Sequence, residues 1–313
     1  MDLEVVNKII IILLSLGIFF VLPSTIYTVM FFGIFYRRRP LYLDTDDLKK
    51  TIYYPYREEL AKSVAEAKRI DFEPVSILSV DGLKLFGRYY GGDSDTTLLL
   101  VHGYQSDPFN NFSTHIKFFL SQGYNVLTVD HRAHGKSKGR FTTAGYKEKG
   151  DLMKWIDWLD LNTGCSSIFI YGISMGATTV GLASDKIKCP KVKGLIMEAG
   201  FTSFYDELCY SASNVFMKNA ALNYVRLCAK TFLRADIRES TTQSLSKTTI
   251  PVFFLHGIAD TDVPISHTER NFLACASEKS LFLVEGAPHT LCHLLGKDAV
   301  EGRLKEFIAN HLS

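Results

Sequence analysis

The sequence predicts an α/β domain built on a largely parallel sheet covered on both faces, with an apolar helix in front of it. Two features carry this. From about residue 74 onward, short apolar runs bounded by Gly, Asp and Pro alternate with helical stretches as far as the C-terminus, the pattern of a buried parallel sheet with crossover helices. Before them, no charged residue occurs between Ile9 and Tyr36. At 313 residues the chain can bury one sizeable core, so a single domain of about 250 residues plus an appendage is the natural expectation.

Residues 9–36, at 1.5 Å each, exceed the roughly 30 Å of bilayer hydrocarbon and read as one transmembrane helix. A cleaved signal peptide fits less well, because Asp2 and Glu4 would fall in its basic region and no A-x-A site follows. Pro23 interrupts the run and predicts a bend that a lipid-embedded helix tolerates. Only Lys8 precedes the run, whereas Arg37, Arg38 and Arg39 follow it, so the positive-inside rule predicts a cytoplasmic globular part. Residues 1–40 are thus expected to be an anchor that activity on soluble esters does not need. Residues 41–73 form a linker carrying an amphipathic helix over Tyr56–Ile70, and 74–313 the globular domain.

Within that domain strands are predicted at Ser76–Val80, Lys84–Tyr90, Thr97–His102, Asn125–Asp130, Ser167–Tyr171, Val192–Met197, Val252–His256 and Leu281–Val284. Helices are predicted at Ser113–Ser121, Lys147–Leu161, Met175–Asp185, Ser266–Ala276 and Val300–Asn310. The interval Phe201–Thr249 breaks the alternation and reads as a small helical lid over the carboxyl edge of the sheet, where open α/β sheets bind ligands. No internal repeat is visible, which argues against solenoids and propellers.

A formal charge of +2, with no dense Lys/Arg run beyond residue 50, argues against a nucleic-acid partner. The six cysteines, Cys165, Cys189, Cys209, Cys228, Cys275 and Cys292, include no CxxC pair, and read as reduced, mostly buried thiols.

The chemistry is concentrated at Gly172-Ile173-Ser174-Met175-Gly176, which follows one apolar strand and opens the run Ala177–Ala183. A G-x-S-x-G match by itself is cheap, about 0.1 chance occurrences in a chain of this length. The strand-turn-helix context gives it meaning, because a serine on a strained turn above a sheet leaves no room for Cβ atoms on its flanks. With three further motifs in order, residues 74–313 resemble the α/β-hydrolase family. His102-Gly103-Tyr104 ends the third strand, and Asp130-His131-Arg132-Ala133-His134-Gly135-Lys136-Ser137 ends the fourth, with Ala133 where the family usually has Gly. His256-Gly257-Ile258-Ala259-Asp260-Thr261-Asp262-Val263-Pro264 and Glu285-Gly286-Ala287-Pro288-His289 end the seventh and eighth. The pattern is similar to serine-aminopeptidase-like and prolyl-oligopeptidase-like bacterial hydrolases with a short lid.

The resemblance implies Ser174 as nucleophile, His289 as general base and Asp260 as the acid, with Asp262 and Glu198 as alternatives for the acid. It implies backbone N–H groups of Tyr104 and Met175 as the oxyanion hole. His289 and His293 could be misread as a metal pair, but no HExxH glutamate or third ligand accompanies them, so neither metal nor cofactor is expected. The other histidines read as structural.

A serine at the elbow points to acyl chemistry on an ester, thioester or peptide bond. An acyltransferase would share the triad, and a membrane-tethered binding protein that kept only the fold is the rival from another class. Oligomeric state is left open. The lid's Phe201, Phe204, Tyr205, Leu208, Tyr210, Phe216, Leu222, Tyr224 and Leu227 could line an acyl pocket or serve as helix core, whereas Asp206, Glu207 and Arg234 suit a charged peptide terminus.

Overall fold

The computed structural model describes residues 3–37, 51–213 and 218–312, apart from the side chains of 13–20. The order is α1 (Leu3–Phe35), α2 (Arg57–Ala67), β1 (Glu73–Leu78), β2 (Lys84–Tyr90), β3 (Thr96–Val101), α3 (Pro108–Ser121), β4 (Asn125–Val129), α4 (Glu148–Asn162), β5 (Ser167–Ile173), α5 (Met175–Ala183) and β6 (Val192–Glu198). The lid follows as α6 (Phe204–Ser211), α7 (Lys218–Cys228) and α8 (Thr241–Leu245), then β7 (Val252–Gly257), α9 (Ile265–Ala274), β8 (Lys279–Val284), α10 (Cys292–Leu295) and α11 (Lys297–Asn310). Strand and helix positions differ from the sequence expectation mainly at their ends, where caps decide. Asp107, for example, accepts the N–H of Asn110 and starts α3 at Pro108, several residues before the apolar periodicity becomes visible.

Among the described residues eight strands form one sheet in the order β1-β2-β4-β3-β5-β6-β7-β8. β2 runs antiparallel to both its neighbours and the remaining pairs are parallel. This is the α/β-hydrolase fold. The central strands are apolar throughout because both faces are covered. Leu99, Val101, Ile168 and Ile170 face Trp155 and Leu159 of α4 and Val180 of α5. Alternate residues Leu98, Leu100, Phe169 and Tyr171 face Phe112 and Phe119 of α3 and Leu304 and Phe307 of α11. β3 lies between β4 and β5, so the chain crosses from β3 to β4 on one side and then back past β3 to β5 on the other. The crevice at their carboxyl ends is the topological switch point where such sheets bind ligands.

A third apolar cluster covers that edge. It joins Phe31 and Phe35 of α1 to Met175, Phe201, Phe204, Val225 and Val263. This changes the reading of the N-terminal segment. Residues 9–35 are helical, with Pro23 inside α1, but the final turns rest on the globular domain, Phe31 being 4% and Phe35 0% exposed. Among the described residues no helix is long and apolar enough to cross a membrane, and the transmembrane helix expected over 9–36 is corrected to that extent. The aromatic end of the run is spent on protein contacts. Its N-terminal part differs, since Ile9, Ile10, Ile11, Ile12, Val21 and Leu22 are exposed. Arg38, Arg39, the linker residues 41–50 and Phe216 lie outside the described residues.

The loop after β4 is held by an ion pair. Arg88 on β2 donates to Asp130 at 2.7 Å with both side chains buried, and Asp130 also accepts the Lys136 N–H at 2.8 Å. Gly135 has φ +48°, and a Cβ there would lie 2.3 Å from the Asp130 carboxylate, so this turn closes on glycine alone. Removing one partner of a buried pair strands the other charge. Arg88→Ala is therefore expected to cost about 3–5 kcal/mol of folding stability, read as a lowered midpoint in chemical denaturation.

Candidate active site

The elbow follows from crowding. Ser174 adopts φ 55° and ψ −118° between β5 and α5, a strained backbone region for a residue with a side chain. A Cβ on Gly172 would lie 2.4 Å from the Gly176 backbone, and one on Gly176 would lie 1.9 Å from the Val101 carbonyl oxygen. Only glycines let α5 start this close to β3. The Ser174 N–H donates to the Glu198 carbonyl at 2.8 Å and its own carbonyl accepts the Thr178 N–H at 3.0 Å, which fixes the turn against the end of β6.

His289 reaches the serine from the loop after β8. Its Nε2 is 3.0 Å from Ser174 Oγ, and its Nδ1 is 2.7 Å from Asp260 Oδ2. With Nδ1–H donated to the carboxylate, Nε2 is left to accept the serine O–H. The other Asp260 oxygen accepts the N–H groups of Asp262 and Val263, both at 2.9 Å. The acid loop and the histidine loop are joined by the Ala259 N–H, which donates to the Ala287 carbonyl at 3.0 Å. His256 braces the acid loop through Thr268 Oγ1 at 2.7 Å and the Val263 carbonyl at 3.1 Å.

Electrostatics follow the same order. Burial works to raise the Asp260 carboxyl, but the hydrogen bonds from His256 and His289 outweigh it and hold the group well below the usual carboxylate range. Burial works to lower His289, yet the hydrogen bond and charge of Asp260, helped by Asp262 and Glu198, hold the imidazole above its ordinary value. Asp262, the nearer alternative in sequence, contributes its backbone N–H to Asp260. Glu198 lies buried behind the elbow, where it accepts the Tyr171 hydroxyl at 2.6 Å, and burial raises its carboxyl above the usual range.

Of the two backbone groups expected to form the oxyanion hole, that of Met175 follows Ser174 directly in the chain. Met175 is the first residue of α5, where the partial positive charge of the helix N-terminus gathers. A Cβ on Gly103 would lie 3.3 Å from Ser174 Cβ, so the backbone immediately before Tyr104 runs against the serine. The Gly103 N–H donates to Asn111 Oδ1 at 2.7 Å and the Gln105 N–H to His134 Nε2 at 3.1 Å.

The histidines of the loops after β3 and β4 have structural partners. His131 N–H donates to His102 Nε2 at 3.1 Å, and His131 Nε2 lies 3.0 Å from the His102 carbonyl. Burial pushes His102, His131 and His134 below their ordinary range. His293 turns away from His289 toward His115, with ring centroids 4.2 Å apart, so the two do not converge on a metal. All six cysteines are free thiols.

Two further residues lie beside the site, of which the sequence pointed only to Glu207, as a charge suited to a peptide terminus. Tyr53, from the stretch read as linker, sets its hydroxyl 3.3 Å from Thr290 Oγ1, next to His289, and burial pushes its phenol up to about 12. Glu207 on α6 is lifted by burial to about 7 and interacts electrostatically with His289 and Asp260. Tyr53 sits in the run Tyr53-Tyr54-Pro55-Tyr56, which has no periodicity to say which ring turns toward the site. Of the three lid charges that suited a peptide terminus, Asp206, Glu207 and Arg234, Glu207 is the one whose electrostatics reach the triad.

Comparison with known proteins agrees with this architecture. The chain is 29% identical over 224 residues to the uncharacterised protein YqkD of Bacillus subtilis, covering 70% of this chain and 72% of that protein. It is 28% identical over 171 residues to the lysophosphatidylserine lipase ABHD12 of Danio rerio, spanning 53% of this chain but only 43% of the relative. Among solved structures, the Pyrococcus furiosus esterase Pf2001 superposes with a TM-score of 0.65 at 24% identity, covering 90% of this chain and 98% of the esterase. The family described as X-Pro dipeptidyl-peptidase (S15 family) matches residues 48–245. Because that match covers well over half of its length, the chain belongs to the S15 family of α/β-hydrolases.

Proposed function

We propose that the chain is a serine hydrolase that cleaves an acyl ester or thioester through an acyl-Ser174 intermediate. The observation that carries the reading is the hydrogen-bonded series Asp260–His289–Ser174 at 2.7 and 3.0 Å. His289 takes the serine proton as Oγ attacks the carbonyl and returns it to the leaving group, while Asp260 holds the ring and stabilises its cation. The N–H groups of Tyr104 and Met175 receive the developing oxyanion, where loss of one such donor costs about 2.7–4 kcal/mol of transition-state stabilisation. Water then resolves the acyl-enzyme.

An acyl group is favoured because Met175 sits in the apolar cluster with Phe31, Phe35, Phe201 and Phe204. The named activities of relatives, a lysophosphatidylserine lipase and a thiohydrolase, lie in the same class. Peptide cleavage is the second reading. It is favoured by the family's description and by the half-buried Glu207 carboxyl near the site, which could receive a peptide amino terminus.

The exposed apolar side chains of the N-terminal part of α1 support association with a membrane. Its charge-free part, residues 9–26, supplies roughly 27 Å of helix, a little short of the ~30 Å of bilayer hydrocarbon. On the positive-inside argument from residues 37–39, the catalytic domain lies on the cytoplasmic side.

A fluorophosphonate should label the wild type at Ser174 and leave Ser174→Ala unlabelled, with ester turnover reduced about 10⁴-fold or more. A panel of chromogenic esters of rising chain length beside aminoacyl amides separates the two readings. Turnover of the amides alone would replace the first by the second. Because the base must be neutral and its folded value is raised, kcat/KM should rise with pH through a midpoint above about 6.5. Asp260→Asn should move that midpoint down and lower kcat by about 10⁴. Full-length chain should sediment with membranes after alkaline carbonate extraction, and recovery in the supernatant would remove the membrane assignment.

A further inference from the structure

We propose that the last turns of α1 and the two residues after it, residues 27–37, are a positioning element of the active site that sets the 103–105 loop and with it the Tyr104 N–H assigned to the oxyanion. The proposal rests on the serine hydrolase reading above. It departs from the expectation that residues 1–40 serve only as an anchor.

The attachment begins with the backbone. Arg37 N–H donates to the Arg140 carbonyl at 2.8 Å, the Thr142 N–H donates to the Phe35 carbonyl at 2.9 Å, and Tyr36 and Phe141 form an antiparallel bridge. A flexible tether needs no such pairing. Phe35 packs on Phe204 with ring centroids 5.7 Å apart, and Phe204 packs in turn on Tyr104 at 6.1 Å.

Two polar routes then lead from α1 to the loop. In the first, the Tyr104 hydroxyl donates to the Ile34 carbonyl. That carbonyl lies in the final turn of a helix ending at Phe35, where the last four carbonyls have no partner within the helix. Tyr104 therefore caps α1. Its hydroxyl also accepts from Gln105 Nε2 at 2.8 Å, so one oxygen ties helix, Tyr104 and Gln105 together. In the second route, the Arg37 guanidinium donates to the carbonyls of Gly135 and Ser137. The turn thus held carries His134, whose Nε2 accepts the Gln105 N–H at 3.1 Å. Residues 104 and 105 are pinned from both sides by groups that answer to one helix end.

An oxyanion donor acts through its position, so loosening these ties should lower the rate without changing ground-state binding. The test uses full-length chain in detergent micelles with Tyr104→Phe and Arg37→Gln, each characterised by thermal unfolding and active-site titration. Tyr104→Phe keeps the ring and removes the hydroxyl's bonds to Ile34 and Gln105, whereas Arg37→Gln leaves Tyr104 intact and guards against a folding defect in the first variant. Each is expected to lower kcat per titrated site by about tenfold with KM within about twofold, short of the 10²–10³ lost when a donor is removed outright. The inhibition constant of a trifluoromethyl ketone, which forms a tetrahedral adduct, should rise by the same factor as kcat/KM falls. Wild-type kcat per titrated site in both variants, with an unchanged inhibition constant, would reduce the contact to simple packing and overturn the proposal. Wild-type chain that takes up no fluorophosphonate at Ser174 overturns the hydrolase reading and this proposal together.

Discussion

The site depends on how closely α5 can begin beside β3. Gly176 is packed so tightly on the Val101 carbonyl that any side chain there would displace one element from the other. Because the two stay in contact, the strained Ser174 is lifted above the sheet, with Met175 opening the helix behind it and the Gly103 backbone packed against it. The strain is held by main-chain bonds to the Glu198 carbonyl and from Thr178, not by the serine's own preference. Geometry made of backbone can be rigid while the lid above it varies.

Around this point imidazole serves opposite ends according to its neighbours. His289 faces a carboxylate held well below its usual range and is kept ready to accept a proton. His102, His131 and His134 meet carbonyls, N–H groups and one another, and their burial favours the neutral ring that such bonding requires. His256 is intermediate in place, supporting the acid loop from beneath while its neighbour at 289 faces the serine. Residue type alone would not have separated these uses. Partners do.

Much of this was legible in the sequence. The glycines around Ser174, the apolar strands and the loop motifs at 102, 130, 256 and 285 are local patterns, each dictated by a turn or a pleat that a few adjacent residues determine. Asp260 is brought to His289 in preference to Asp262 and Glu198, and this was readable because the motif aligned it. The end of α1 was not legible. Burial in lipid and burial in protein select the same side chains, so Met30, Phe31, Ile34 and Phe35 extend an apolar run without revealing which solvent they leave. The aromatic clustering at its end was the available hint. Tyr53 was hidden for a related reason, since its contact with Thr290 spans 237 positions and leaves no period in the chain.

The pairing of residues 35–37 with 140–142 has a bearing on reach. A domain hung on a slack chain could sample many heights above a bilayer, whereas one fastened to a stiff rod works at a single elevation. If α1 enters lipid, it acts as a ruler: only molecules presenting their cleavable carbonyl near that level would meet the hydroxyl at 174. Selection among substrates could then come from depth as much as from pocket shape.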